Sequence, residues 1–128
     1  MVTEDFRKIL EAHGIKTKIV KVSPSGVVDA WGKREQTYTT IWTTGIIQPV
    51  TEYEVRREPG GILQIGDGIG FFPSGTDCIP SGSESSWFVY PSGLNIKYKI
   101  AFGRREIYGG EVVFIECGLK FEMGSGVA

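Results

Sequence analysis

The chain has 128 residues, 41% hydrophobic and 23% charged, and a formal net charge of −1. This describes one domain that can bury a core without a metal or disulfide framework, and it gives no overall electrostatic footprint for nucleic acid, only local basic patches. No apolar run approaches the roughly 18 residues of a membrane span, and the opening MVTEDFRKIL lacks the long apolar core of a secretory signal, so the chain is expected to stay in the compartment where it is made.

Residues 3–13, TEDFRKILEAH, carry the helical pattern. Thr3 suits a cap, Glu4 and Asp5 suit the positive end of the macrodipole, and His13 suits its negative end. Phe6, Ile9, Leu10 and His13 recur at helical spacing, and Gly14 fits a left-handed stop. Everything beyond reads as β. Residues 15–22 form a β-branched strand ending at the turn SPSG, 27–31 a short strand, and GKREQ a charged break. Residues 37–50 form a long strand with Tyr38, Thr40, Trp42 and Thr44 on one face. Gly45 in it suggests a bulge, and Pro49 suggests an edge.

Strands at 52–58, 62–65, 69–72, 87–90 and 94–102 follow, and 111–122 closes the series. In that last strand Val113, Ile115, Cys117, Leu119 and Phe121 make an unbroken period-2 apolar face, with Lys120 opposite. Pro-Ser-Gly occurs at 24–26, 73–75, 80–82 and 91–93 and punctuates the strands as turns. Many short strands with such turns predict an all-β fold, a small antiparallel β-barrel or barrel-like sandwich with one short N-terminal helix. The whole chain, 1–128, is one domain. The serine-, glycine- and proline-rich stretch 73–86 is expected to be a long mobile loop outside the barrel, and 123–128 a flexible tail.

Candidate chemistry is sparse. LQIGDGIGFFPSG, residues 63–75, has the spacing GxGxG rather than the GxGxxG of a dinucleotide loop, has no Gly-Lys-Ser/Thr, and cannot open a helix. It reads as a barrel corner at Gly66, Asp67 and Gly68, with Asp67 bonding local amides. His13 is the only histidine, so no Ser-His-Asp set is expected. Asp67 with Asp77 is the one carboxylate pair worth weighing. Cys117 reads as a buried thiol and Cys78 as a loop residue. Their separation is no zinc or CxxC spacing, and free thiols are the default while a disulfide stays open. No catalytic set, metal or cofactor is expected. An oligonucleotide-binding barrel is the alternative. Trp42 and Trp87, with Tyr38, Phe88 and Tyr90, would then stack bases, and Arg56, Arg57, Arg104 and Arg105 would meet phosphates.

With the strands placed, a further pattern stands out: helix, barrel, then G-x-L-x-x-G-D at Gly61, Leu63, Gly66 and Asp67. A T-D loop at Thr76-Asp77, an I-x-Y-x-I strand at Ile96, Tyr98 and Ile100, and the closing GGEVVFIECGLKF follow. DAWGKREQTYTTI fits the early hairpin. This resembles the small head–tail joining proteins of tailed viruses, the head-closure or adaptor class between portal and tail. The resemblance implies a non-enzymatic structural protein of a phage or provirus, working as a homo-oligomeric ring against portal, adaptor and tail proteins. DNA would pass through the ring without sequence-specific binding and no membrane would be involved. The protein would reside in the virion, and in the host cytoplasm before assembly. In this reading Thr76, Asp77, Ser83, Glu84 and Ser85 form the partner-contact loop.

Overall fold

The computed structural model describes residues 2–50, 63–82 and 84–122. Helix α1 (Val2–His13) precedes six strands: β1 (Ile15–Val28), β2 (Arg34–Pro49), β3 (Gly68–Pro73), β4 (Ser86–Pro91), β5 (Lys97–Tyr108) and β6 (Glu111–Glu122). They close into a barrel in the order β1-β2-β3-β6-β5-β4, with every neighbouring pair antiparallel. Closure leaves no long unpaired sheet edge in the body of the barrel. The expected strand at 52–58 and the tail 123–128 lie outside the described residues, as does Ile62 of the expected strand 62–65.

Ile19, Phe72, Trp87, Val89, Ile100, Ile115, Cys117 and Leu119 fill the barrel interior. Gly45 makes room for this core rather than a bulge. It pairs with Ile15 in unbroken register, and a Cβ there would lie 2.5 Å from the Phe72 ring. A second cluster, Val50, Leu63 and Ile69 with Phe71 and Phe102, lies apart from the first. Beside it α1 lays Phe6 against Phe114, ring centroids 4.8 Å apart. The middle of β6 is therefore buried on both faces: Val113, Ile115, Cys117 and Leu119 on one side, Glu116 and Gly118 on the other. Phe121 departs from the expected apolar face and is 46% exposed, because the strand has reached the barrel rim.

The N-terminal half differs from the sequence reading in three places. The helix begins one residue earlier, at Val2, and its inner stripe is Phe6 and Leu10, with Ile9 exposed. Gly14 does not take a positive φ. Its amide bonds to the Leu10 carbonyl at 2.8 Å, and a Cβ would collide with that oxygen and with Thr44 Cγ2 at 2.5 and 2.6 Å, so close approach is what requires glycine. Finally, SPSG does not end the first strand. Pro24 pairs with Gln36 and the ladder resumes at Val28–Arg34 after an irregularity containing Gly26. Proline is tolerated because β4 pairs with β1 only over 17–22, leaving the other edge of this stretch open among the described residues. The reversal comes at Asp29–Lys33, where the Asp29 carboxylate accepts from the Trp31 and Lys33 amides at 2.8 and 2.9 Å.

The tripeptides at 73–75 and 91–93 do leave β3 and β4 as turns, while that at 80–82 lies within the β3–β4 connection; Gly75, Gly82 and Gly93 all have positive φ. Residues 74–85 join β3 to β4, which are not neighbours, so this connection must cross an end of the barrel.

Candidate functional site

The glycine-rich stretch is a corner followed by a strand. Gln64 to Asp67 form a β-turn closed by the Asp67 amide on the Gln64 carbonyl at 3.0 Å. Gly66, at φ +104°, occupies the third position, which a type II turn reserves for glycine. Gly68 is instead the first residue of β3 and pairs with Pro49 and Leu119. Its role is spatial, since a Cβ would press Ile47 and Tyr98 at 3.3 Å. Gly68 and Gly70 sit in a strand laddered on both sides, so this is no open cradle of amides for a phosphate.

Asp67 does more than bond its own turn. Its carboxylate accepts from the Gln64 amide at 2.9 Å, the Phe121 amide at 2.9 Å and Lys120 Nζ at 2.5 Å, tying the corner to the end of β6. Burial would push its carboxyl up. The hydrogen bond from Lys120, those from the Phe121 and Gln64 amides and the lysine charge together outweigh burial and hold the pKa below 3.8. Tyr98 nearby is pushed up, by burial first and then by the Asp67 charge.

Asp67 and Asp77 lie at opposite ends of β3 and do not form a pair. Asp77 accepts from the indole Nε1 of Trp87 at 3.2 Å. Beside it Cys78, expected in a mobile loop outside the barrel, is fully buried in the core with Ile79 packed against it. Residues 77–79 plug the barrel end that the β3–β4 connection must cross. Cys117 Sγ donates to the Cys78 carbonyl at 3.3 Å, and both thiols are free. A side-chain hydrogen bond with the Cys78 thiol, then burial, then the neighbouring Cys78 and Glu116 charges push the Cys117 thiol far up, so it is no ready nucleophile. Among the expected contact-loop residues, Ser85 is half-buried and its hydroxyl lies 2.8 Å from that of Ser23. Glu84 reaches Arg34 at 3.8 Å, Thr76 is half-buried, and Ser83 lies outside the described residues. Among the described residues no group of three His, Cys, Asp or Glu converges as a metal site would require.

The expected base-stacking surface is assembled only in part: Trp42, Tyr38, Phe88 and Tyr90 share one outer face, without Trp87, Arg104 and Arg105. Trp87 is in the core. Arg104 pairs with the 8%-exposed Glu116 at 3.5 Å and stacks over Phe102. Arg105 lines a cleft at the plugged end with Asp77, Ile79 and Ile115. Arg56 and Arg57 lie outside the described residues. On the outer face of β1, β2, β4 and β5 the structure sets lysines, in place of the expected arginines, among those four aromatics. Lys18 is flanked in register by Trp42 and Tyr90, Val20 by Thr40 and Phe88, and Val22 by Tyr38 and Ser86. These rows, apart from Trp42, line an open groove of about 520 Å³ that reaches Lys97. Lys16, Lys18 and Lys97 lie over the rings of Trp42, Tyr90 and Phe88 at 4.9, 4.9 and 4.4 Å. A signal for these cations was present: Lys16 and Lys18 alternate with Thr17 and Ile19, which face the core.

Two hairpins carry further exposed apolar groups. Residues 23–37 continue as a two-stranded ribbon beyond the last β1–β4 pair, with Val27, Val28 and the 89%-exposed Trp31 toward its tip. The β5–β6 hairpin ends in exposed Ile107 and Tyr108 ahead of Gly109-Gly110. Strand direction puts both tips and the 74–85 crossing at the same end of the barrel.

These features define a closed six-stranded antiparallel barrel with a docked helix, one sealed end and two apolar-tipped hairpins beside the seal. No family model, curated protein or solved structure matches the chain.

Proposed function

We propose that this chain is a structural protein of a tailed virus or provirus, joining the capsid portal to the tail as one subunit of a ring. One observation carries the reading: the β1–β2 ribbon leaves the barrel with Val27, Val28 and Trp31 bare. Large apolar groups at the end of a protruding arm have no use in an isolated chain and suit insertion into another subunit. The exposed Ile107 and Tyr108 at the same end supply a second contact. The resemblance through Gly66, Asp67, Tyr98 and the closing strand supports the same reading, as does a barrel that can serve as a ring wall. The reading requires no cofactor and no catalytic set. It implies a virion location after assembly in the host cytoplasm, and unspecific passage of DNA through the ring.

Native mass, measured alone and with a candidate portal, tests it. A ring, or a stoichiometric complex with the portal, is expected. Trp31→Ala should abolish assembly with the melting temperature unchanged, since Trp31 is 89% exposed. A chain that stays monomeric and ignores portal and tail proteins would sink the proposal.

A further inference from the structure

The two flanks of the barrel are treated differently. β6 is covered on its outer side, where Glu116 and Gly118 are buried and Phe114 meets α1. The outer face of β1, β2, β4 and β5 carries no such cover among the described residues. Trp42 and Tyr38 stand 56% and 65% exposed there, four residues apart on one strand, or roughly 13 Å. Phe88 and Tyr90 are half-buried on the neighbouring β4.

The charge on this face is predominantly positive. Lys16, Lys18 and Lys97 stand over its rings, and Lys99 is in register with Phe88. Glu122, opposite Lys97 at the margin, is the acid in register with this set, and none of the four lysines is in an ion pair among the described residues. Lysine is depleted from the buried centres of protein interfaces. Aromatic rings interleaved with lysines instead match a flexible polyanion that offers flat, unpaired rings.

We infer that this face binds single-stranded nucleic acid, stacking bases on Trp42, Tyr38, Phe88 and Tyr90 while the four lysines meet phosphates. A base that stacks on a ring displaces the lysine above it, and the freed ammonium reaches the adjoining phosphate. A duplex is disfavoured because its base faces are hidden and this face presents no helix to a groove. The inference does not rest on ring assembly, because every group in it belongs to one chain.

The test is fluorescence anisotropy of the full chain with labelled 15-nucleotide dT and rU strands, at 50 and 200 mM salt. Up to four neutralised phosphates predict affinity falling roughly 50-fold over that range. Trp42→Ala, at an exposed position, should keep the melting temperature and weaken binding by roughly 5- to 150-fold, the loss of one stacked base. Lys18→Ala with Lys97→Ala should flatten the salt dependence. Absence of binding at 50 mM salt would overturn the inference. So would equal affinity for a blunt duplex, or for heparin with no effect of Trp42→Ala, which would mean charge alone. Trp42→Ala that disrupts self-association but leaves strand binding intact would reassign the face to a subunit contact.

Discussion

At Asp67 one carboxylate secures groups from two distant parts of the chain: the Gln64 amide of its own turn, and the Phe121 amide and Lys120 ammonium of β6. Asp67→Ala would strand these donors, and is expected to cost about 2–4 kcal/mol, with Lys120 contributing less for being partly exposed. The pH dependence has a definite sign. Because the folded pKa lies below 3.8, the unfolded chain takes up the proton more readily. The stabilisation is complete above the unfolded value and disappears as pH falls through the folded one. The melting-temperature gap between wild type and Asp67→Asn should be flat from about pH 5 to 8 and narrow below about pH 4. A gap unchanged at strongly acid pH would show that the charge is not what secures the corner. Cys78 and Cys117 pose the opposite case. Both are buried and Cys117 stays protonated, so a thiol reagent should label native protein only as fast as it unfolds, and denatured protein at once. Rapid labelling of the native chain would contradict this.

Among the elements, β6 is the most informative, since its two faces meet different neighbours. Ile115→Ala opens a hole in the barrel core, where Ile115 is in register with Phe72, and should cost about 2–5 kcal/mol. Phe121→Ala, at the rim with an edge contact to Tyr98, should cost only about 1 kcal/mol. Equal costs in denaturant melts would refute the register. The β3–β4 connection divides likewise. Asp77→Ala leaves the Trp87 indole N–H without its acceptor and should cost about 1–3 kcal/mol. Shortening at Ser81 and Gly82, which are exposed, should change stability little, because loop closure entropy varies slowly with length. If both changes are silent, residues 77–79 do not seal the barrel.

For the whole molecule, closure of the barrel decides which surfaces remain available for partners. One flank is covered and the opposite one bare, while both apolar hairpin tips and the sealed end share a pole. Assembly and nucleic-acid binding thereby fall on separate surfaces, and Trp31→Ala and Trp42→Ala should separate them. The glycines of β3 offer nothing to nucleotides, as that strand is laddered on both sides. Any rise of the melting temperature with excess ATP should therefore be lost in Trp42→Ala, because a ligand held at β3 would still raise it.

The sequence by itself determined the single helix, the all-β remainder, the inward residues of β6 from Val113 to Leu119, and the glycine corner at Gly66. Those features follow from local dihedral preference and from strict alternation, both of which act within a few residues. Only the tertiary structure decided that Cys78 is core, that Trp87 is core while Trp42 is surface, and that Glu116 is buried with Arg104. Period-2 alternation says which residues share a face but not which face looks inward, and both faces of β6 are covered. The ribbon at 23–28 is hidden from local pattern for a related reason. Pro-Ser-Gly forms a turn wherever the chain must leave the sheet, yet at an unpaired edge the same tripeptide lets the strand continue. The mutual placement of Asp67 with Lys120, and of Lys18 with Trp42 and Tyr90, comes from strand order and register. Those depend on barrel closure, which no local pattern encodes.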